Sequence, residues 1–505
     1  MTTAAPIAAI VGAAGLAVLL LATDRLARLA GLVAWGASLG VLGLYLLPDL
    51  SRSRLVAAAV GVAVVAVVVA LVLRRWPYAL AFATLACIPL RLPVDIGDDE
   101  VNLLLPLYGV IGGLALSFAW ELVRGDDRPE RARAVGPVAW PLAAFVLWAG
   151  LSMAWTADVR RGAIFLGAFV LPFGLLAIGF ARLPWRGKWL TWLWGGLVAM
   201  ALAFAAVGGY QWLTRDVFWN PSVKVFNAYA PFFRVNSVFW DPSVYGRFLT
   251  VAILASLAGI LLGGIRGWRV AGLYAVVCAT WLGLLISFSQ SSFVALAVGI
   301  VVAVAVAWGR QATLTLVAVG SATVIVLVAV PQIRHELVGK SRSELNRITS
   351  GRSKLLGEGF RIAADNPVQG VGVGGFSREY ARRLGIPGRD PKRVASHTTP
   401  VTVLAEQGVV GVALLAWLVA AAFLATLRGL GRGFTSRVSL ATGIVLLAIA
   451  VHSVFYAAFF EDPMTWALLG LVGLVSRVPK KKPPLLSGRQ PPAEPSPVPE
   501  PAPAP

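Results

Sequence analysis

Residues 400–427 read PVTVLAEQGVVGVALLAWLVAAAFLATL, 28 positions with a single charged side chain, Glu406. An apolar stretch of this length crosses the roughly 30 Å hydrocarbon layer as a helix, because about 20 residues suffice and a helix satisfies its own backbone where water is absent. Working outward, comparable apolar runs lie near 5–22, 29–47, 55–73, 77–90, 101–123, 137–155, 162–181, 189–211, 246–264, 268–288, 291–308, 311–330, 438–460 and 463–476. The runs at 77–90 and 463–476 are short, so the pattern predicts 12 to 15 spans. Composition agrees: 58% of the 505 residues are hydrophobic and 13% charged, against about 45–50% and 25% in soluble domains. A soluble globular enzyme and a disordered chain are both excluded. The expected fold is all-α, a polytopic transmembrane helical bundle.

The formal net charge of +20 would suggest nucleic acid in a soluble protein. Here the basic residues sit in short loops between apolar runs, where Lys and Arg report topology, and no nucleic-acid partner is expected. Arg124, Arg128, Arg131 and Arg133 cluster in one loop, Arg182, Arg186 and Lys188 in another, and Arg477 and Lys480–Lys482 follow the last run. Placing these in the cytoplasm predicts a multi-pass plasma (inner) membrane protein with a cytoplasmic C-terminus. Five regions follow: extra N-terminal spans at 1–76; a transmembrane core at 77–330 with an external loop at 212–245; a large external loop at 331–399; C-terminal spans at 400–478; and a Pro-rich cytoplasmic tail at 479–505, expected to be disordered. Within the large loop, SKLLGEGFRIAADNP (353–367) reads as an amphipathic helix with Leu355, Leu356, Phe360 and Ala363 on its stripe and Asn366–Pro367 as its stop. Such a helix either lies on the membrane surface or caps the bundle.

Several motifs fail on context. Residues 370–375, GVGVGG, satisfy G-x-G-x-x-G but follow a helix stop rather than a strand, so no dinucleotide is expected. Gly339–Lys340–Ser341 ends like a P-loop, but Arg334 stands where the first glycine belongs. His335, His397 and His452 are far apart, and Cys87 and Cys278 lie in apolar runs. Neither a metal site nor another cofactor is predicted.

Three polar stretches border the external side. In the first, Phe233–Phe248, Arg234 is a loop cation and Arg247 enters the span that begins near 246. An arginine there either faces the bundle or snorkels to the headgroups. In the second, Arg352, Asn366 and the 370–375 glycines form either an anion-cradling backbone or a connecting turn. The third holds His397, an imidazole able to exchange a proton near neutrality. It runs on to Glu406, a carboxylate inside an apolar run that is either functional or paired with an arginine.

The order of these stretches resembles the bacterial O-antigen ligase and O-antigen polymerase family. The resemblance covers roughly 77–476 and is most specific at DNPVQGVGVGGF (365–376) and SHTTPVTVLAEQGVVG (396–411). It implies a glycosyltransferase C-like fold with amphipathic helices in a large external loop. It also implies a metal-independent glycan transferase. The donor would be a glycan on undecaprenyl pyrophosphate, transferred on the outer membrane face to a hydroxyl of a glycan or lipid acceptor. Arg234 then matches the family's pyrophosphate-contacting arginine and His397 its loop histidine, a base for the acceptor hydroxyl. Arg247, Arg352, Arg361, Asn366 and Glu406 are the expected substrate-binding residues. One departure stands out. Many relatives carry a Ser-Arg pair where this chain reads Phe288-Ser289-Gln290-Ser291-Ser292. Either Arg247, the preferred substitute, or a loop cation (Arg352 or Arg361) supplies that charge, or the phosphate site is rearranged. From another class, a lipid-linked oligosaccharide flippase is the alternative. It would favour charges near the bilayer midplane, whereas these gather at the rim.

Overall fold

The computed structural model describes residues 3–47, 52–96, 99–126, 133–229, 232–262, 267–329, 352–385, 398–431 and 433–478. The architecture is helical. In chain order the helices are α1 (Ala4–Leu21), α2 (Arg25–Leu46), α3 (Arg52–Arg75), α4 (Ala79–Cys87), α5 (Leu105–Arg124), α6 (Ala139–Leu151), α7 (Val159–Ile164), α8 (Leu171–Ala181), α9 (Gly187–Thr214) and α10 (Pro221–Tyr229). They continue with α11 (Pro242–Leu261), α12 (Trp268–Ser287), α13 (Gln290–Ala329), α14 (Arg352–Asp365), α15 (Phe376–Arg383), α16 (Thr399–Leu427), α17 (Phe434–Phe455) and α18 (Pro463–Arg477). A wider π-helical turn, Phe165–Val170, joins α7 to α8 into one rod. Among the described residues, 11 helices are long and apolar enough to cross a membrane, and α18, at 15 residues, is a shorter apolar one. The chain is a multi-pass membrane protein.

Two local differences from the sequence reading have clear causes. The predicted runs 291–308 and 311–330 form one element, α13, broken at Gly309 (φ 83°). The acidic loop after α4 is a small antiparallel hairpin, β1 (Leu92–Ile96) with β2 (Asp99–Leu103), pairing Leu92 with Leu103 and Val94 with Val101. Its alternating apolar residues tuck Ile96 and Leu103 into the core, a period-2 pattern too short to register among twenty-residue runs.

Helix starts are set by local chemistry. Asp241–Pro242 and Asp462–Pro463 each combine an N-cap carboxylate with proline at the first helical position: Asp241 accepts from Ser243 N at 2.6 Å and Asp462 from Met464 N at 2.9 Å. These starts, with the starts of α13 and α16 and the ends of α12 and α17, meet at one end of the bundle. The opposite end gathers arginines. There Arg182 pairs with Glu121 at 2.7 Å, Arg25 Nε donates to the Leu122 carbonyl at 2.5 Å, Arg133 donates to the Leu21 carbonyl at 2.7 Å, and Arg477 donates to the Ala181 carbonyl. Helix α18 runs from one end to the other, about 22 Å at 1.5 Å per residue.

The loop helices cap the bundle rather than lying free of it. Leu355 and Ile362 of α14 pack with Phe376 and Tyr380 of α15 and Ala405 of α16 in a small second core. Phe360, expected on the buried stripe, is 55% exposed, and Ile362 at 0% takes the inward position. The neighbouring Gly359 leaves room for Val401, whose Cγ1 lies 2.5 Å from where a Cβ would be.

Candidate functional site

The segment leading into α11 is pinned before it enters the bundle. Ser237 N donates to Gln211 Oε1 at 2.8 Å, Gln211 Nε2 donates to the Ser237 carbonyl at 3.0 Å, and Ser237 Oγ donates to the Phe204 carbonyl. Asn227 holds Arg234 on both sides of its backbone, at 2.9 Å each. With its backbone fixed, half-buried Arg234 sends Nε to the Ser287 carbonyl at 3.2 Å, at the last turn of α12, and lies 5.5 Å over the Phe226 ring.

Arg247, in the second turn of α11, faces the bundle and is 1% exposed. Its Nη1 donates to Asp462 Oδ2 at 2.6 Å and to the Ala458 carbonyl at 3.1 Å, and its Nε donates to His452 Nδ1 at 3.3 Å. Nη2 is buried with no hydrogen-bond partner among the described residues. A guanidinium only donates, so His452 Nδ1 accepts and its ring proton sits on Nε2, which reaches Ser291 Oγ at 3.0 Å. Ser291 Oγ is 3.3 Å from Ser289 Oγ, and Ser289 Oγ is 2.8 Å from Ser292 Oγ. Backbones approach closely here: a Cβ on Gly246 would lie 2.6 Å from Ser292 Oγ.

The serine run 287–292 therefore bridges the two arginines. Arg234 bonds its first residue, and Arg247 reaches its fifth, Ser291, through His452. This is the stretch where the resemblance expected an arginine and found none. A third cation joins them, because Arg91 Nη2 donates to the Glu461 carbonyl at 3.3 Å, one residue before Asp462. Burial pushes the Glu461 carboxyl above the usual carboxylate range, with Arg91 and Arg247 pulling the other way.

The other predicted residues distribute differently. Glu406 is 8% exposed and accepts from Phe376 N at 3.2 Å, with the charge of Arg161 also acting on it. The glycine stretch beside it gives its backbone N–H groups to acceptors within the protein. Val371 N donates to the Ala405 carbonyl at 3.0 Å, Gly372 N to the Glu406 carbonyl at 2.8 Å and Val373 N to Ser152 Oγ at 3.2 Å. Gly372 (φ 84°) has room for no side chain, since a Cβ would lie 2.2 Å from Thr156 Cα. On the facing side Gly408 (φ 65°) breaks α16 and leaves Val409 N to donate to the Pro367 carbonyl at 2.8 Å. The stretch is a clamp that seats the large loop on α6 and α16. Asn366 closes its first turn, its carbonyl accepting from Gly370 N at 3.0 Å. Arg361 lies on the open face of α14, its side chain 73% exposed and paired with Glu358 at 2.6 Å. Arg352 opens α14; its side chain, and all of His397, lie outside the described residues. Thr399, two residues after His397, has its Oγ1 3.5 Å from Ala458 N, beside the carbonyl that Arg247 bonds.

Sequence reasoning missed His452, Asp462, Ser291 and Arg91. The rule that an ionisable side chain within a span is a site candidate was applied to Arg247 and Glu406 and would have found His452 too. Asp462 resembles an ordinary N-cap until its second oxygen is seen on Arg247. Among the described residues no group of three His, Cys, Asp or Glu is placed to hold a metal ion.

The arrangement can grip a polyanion. Guanidinium groups stay charged and bind phosphate oxygens by parallel hydrogen bonds, and buried donors with fixed partners need little reorganisation when charge grows on a leaving group. Residues 273–416, from within α12 to mid α16, match the model of a family described as O-antigen ligase, so the family resemblance holds over that stretch. No curated protein matches the chain.

Proposed function

We propose that this O-antigen ligase-type membrane protein moves a glycan from an undecaprenyl pyrophosphate carrier to an acceptor hydroxyl at the outer face of the plasma membrane. Sugar ligation to a terminal acceptor and extension of a repeat polymer both use this chemistry. The observation that carries the reading is the buried Arg247 guanidinium. Asp462 and His452 hold it against the serine run, Arg234 stands at the far end of that run, and Arg247 Nη2 has no hydrogen-bond partner among the described residues.

In the reaction, the acceptor oxygen attacks the anomeric carbon. The new C–O bond forms as the bond from that carbon to the phosphate oxygen breaks, and the electron pair leaves on the lipid pyrophosphate. Arg234 and Arg247 take the growing charge, with Arg91 contributing at longer range. The acceptor proton passes to His397, two residues before Thr399 in the chain. Arg247 stands in for the arginine that the serine run lacks. Arg352, Arg361 and Asn366, on the large loop, then meet the glycan rather than the diphosphate. Glu406 holds the loop clamp that carries them. The basic end of the bundle faces the cytoplasm, together with the C-terminal segment from 479 onward.

The test is the surface glycan profile of Arg234→Ala, Arg247→Ala and His397→Ala, each checked for membrane levels equal to wild type. The expected result is loss of attached or elongated polysaccharide, with lipid-linked glycan accumulating on the outer face. Normal profiles in all three variants would refute the reading, and intermediates trapped on the cytoplasmic face would point to a flippase instead.

A further inference from the structure

The arginine-rich end contains a cavity that the transfer site does not use. It holds about 650 Å³ between α3, α4, α5 and α8, all outside the matched stretch 273–416, and falls within the roughly 300–1,000 Å³ of small-molecule sites. Its inner wall is apolar, with Leu80, Leu114 and Ile178. Its rim is charged and aromatic, with Arg74, Trp120, Glu121, Asp126 and Arg182.

The rim chemistry favours an anion. Trp120, 41% exposed, carries two guanidinium groups on its ring, Arg74 at 4.7 Å and Arg124 at 4.2 Å. Stacking on a ring engages a guanidinium's face and leaves its edge donors directed outward. Of the two rim carboxylates, Glu121 is engaged by Arg182 at 2.7 Å. Arg25 adds further positive charge beneath the rim, donating to the Leu122 and Val123 carbonyls. A tryptophan at the end of a span marks headgroup depth, and basic pockets between transmembrane helices at that depth suit acidic lipid headgroups.

The geometry points to a binding site for one anionic phospholipid, its phosphodiester at Arg74 and Arg124 on the Trp120 rim and an acyl chain along the Leu80–Leu114–Ile178 wall. Cation and apolar wall are both required, which separates this ligand from free phosphate. The site lies at the opposite end from Arg247 and stands whether or not the transfer reading holds.

The experiment is native mass spectrometry of the full chain in neutral detergent, titrated separately with phosphatidylglycerol, phosphatidylcholine and inorganic phosphate. Wild type should retain one phosphatidylglycerol at about tenfold lower concentration than phosphatidylcholine, and Arg74→Gln should lose most of that preference. Ser117→Phe, which fills the cavity wall, should weaken both lipids alike. Arg74 is exposed, so its variant tests the site even if the filled variant fails to fold. Equal retention of the two lipids by wild type, or unchanged phosphatidylglycerol binding in Arg74→Gln, would overturn the proposal. So would complete displacement of the lipid by millimolar inorganic phosphate.

Discussion

At one end of the bundle Arg247 is 1% exposed and its charge is met by Asp462 at 2.6 Å, a carboxylate 215 residues away in sequence. At the other end Arg25, Arg133 and Arg477 donate to main-chain carbonyls at helix ends, and Arg28 and Arg182 lie 5.0 and 4.3 Å over Phe118. The residue type is the same and the physics differs. Helix C-termini carry carbonyls without intrahelical partners and the negative end of the dipole, so arginines there complete helices at little desolvation cost. Burying a guanidinium inside the bundle is expensive, and a buried ion pair is weak evidence for stability. Arg247 is placed where its charge is costly rather than where it is cheap.

Breaking the buried pair gives the largest expected effect. Asp462→Ala leaves Arg247 charged and buried and should cost about 3–5 kcal/mol, whereas replacing both partners, Arg247→Met with Asp462→Leu, should recover most of that loss. Thermal unfolding of the purified variants checks the stability, and glycan transfer should stay absent in the double variant. A stable, active double variant would erase the distinction between the two ends. At the opposite end, Arg25→Ala removes hydrogen bonds to two α5 carbonyls and should cost about 1 kcal/mol, read as a modest fall in thermal midpoint with transfer unchanged.

The smallest effect concerns a charge cluster on the large loop. Arg382 and Arg383 bond Glu379 in α15 at 2.5 to 3.0 Å and hold its carboxyl below the usual range. A lowered folded value means the contribution is fully present above the unfolded carboxylate pKa of about 4.3 and is lost as pH falls through the lower folded value. Proteolysis near α15 should therefore stay slow at pH 6 and accelerate near pH 3. Glu379→Gln should make the rate at pH 6 already faster and flatten that dependence.

The spans were legible because an apolar layer forces each crossing segment to satisfy its own backbone, so length and composition alone mark α1, α2, α5, α9, α11, α12, α16 and α17. The break in α13 was legible as a gap between two runs. The hairpin at 92–103 was not, because five-residue strands leave no signal of comparable weight. GVGVGG was legible as a place of close backbone approach. What approaches it, Thr156 and the broken turn at Gly408, depends on helices far apart in the chain. The candidate site divides in the same way: Arg247 stands out as a charge at a membrane edge and Arg234 as a loop cation beside it, while nothing in the local sequence ties His452 or Asp462 to either.

What the sequence alone determined is the membrane-spanning character, most of the span positions and the rim on which polar residues collect, since each follows from transferring local side chains between water and hydrocarbon. Only the tertiary structure decided that Arg247 turns inward, that the serine run without its arginine lies between two other arginines, and that Glu406 accepts from the backbone of the large loop. Those outcomes depend on which helix ends become neighbours. Electrostatic pairing acts over a few ångströms of space, with no regard for how many residues separate the partners along the chain.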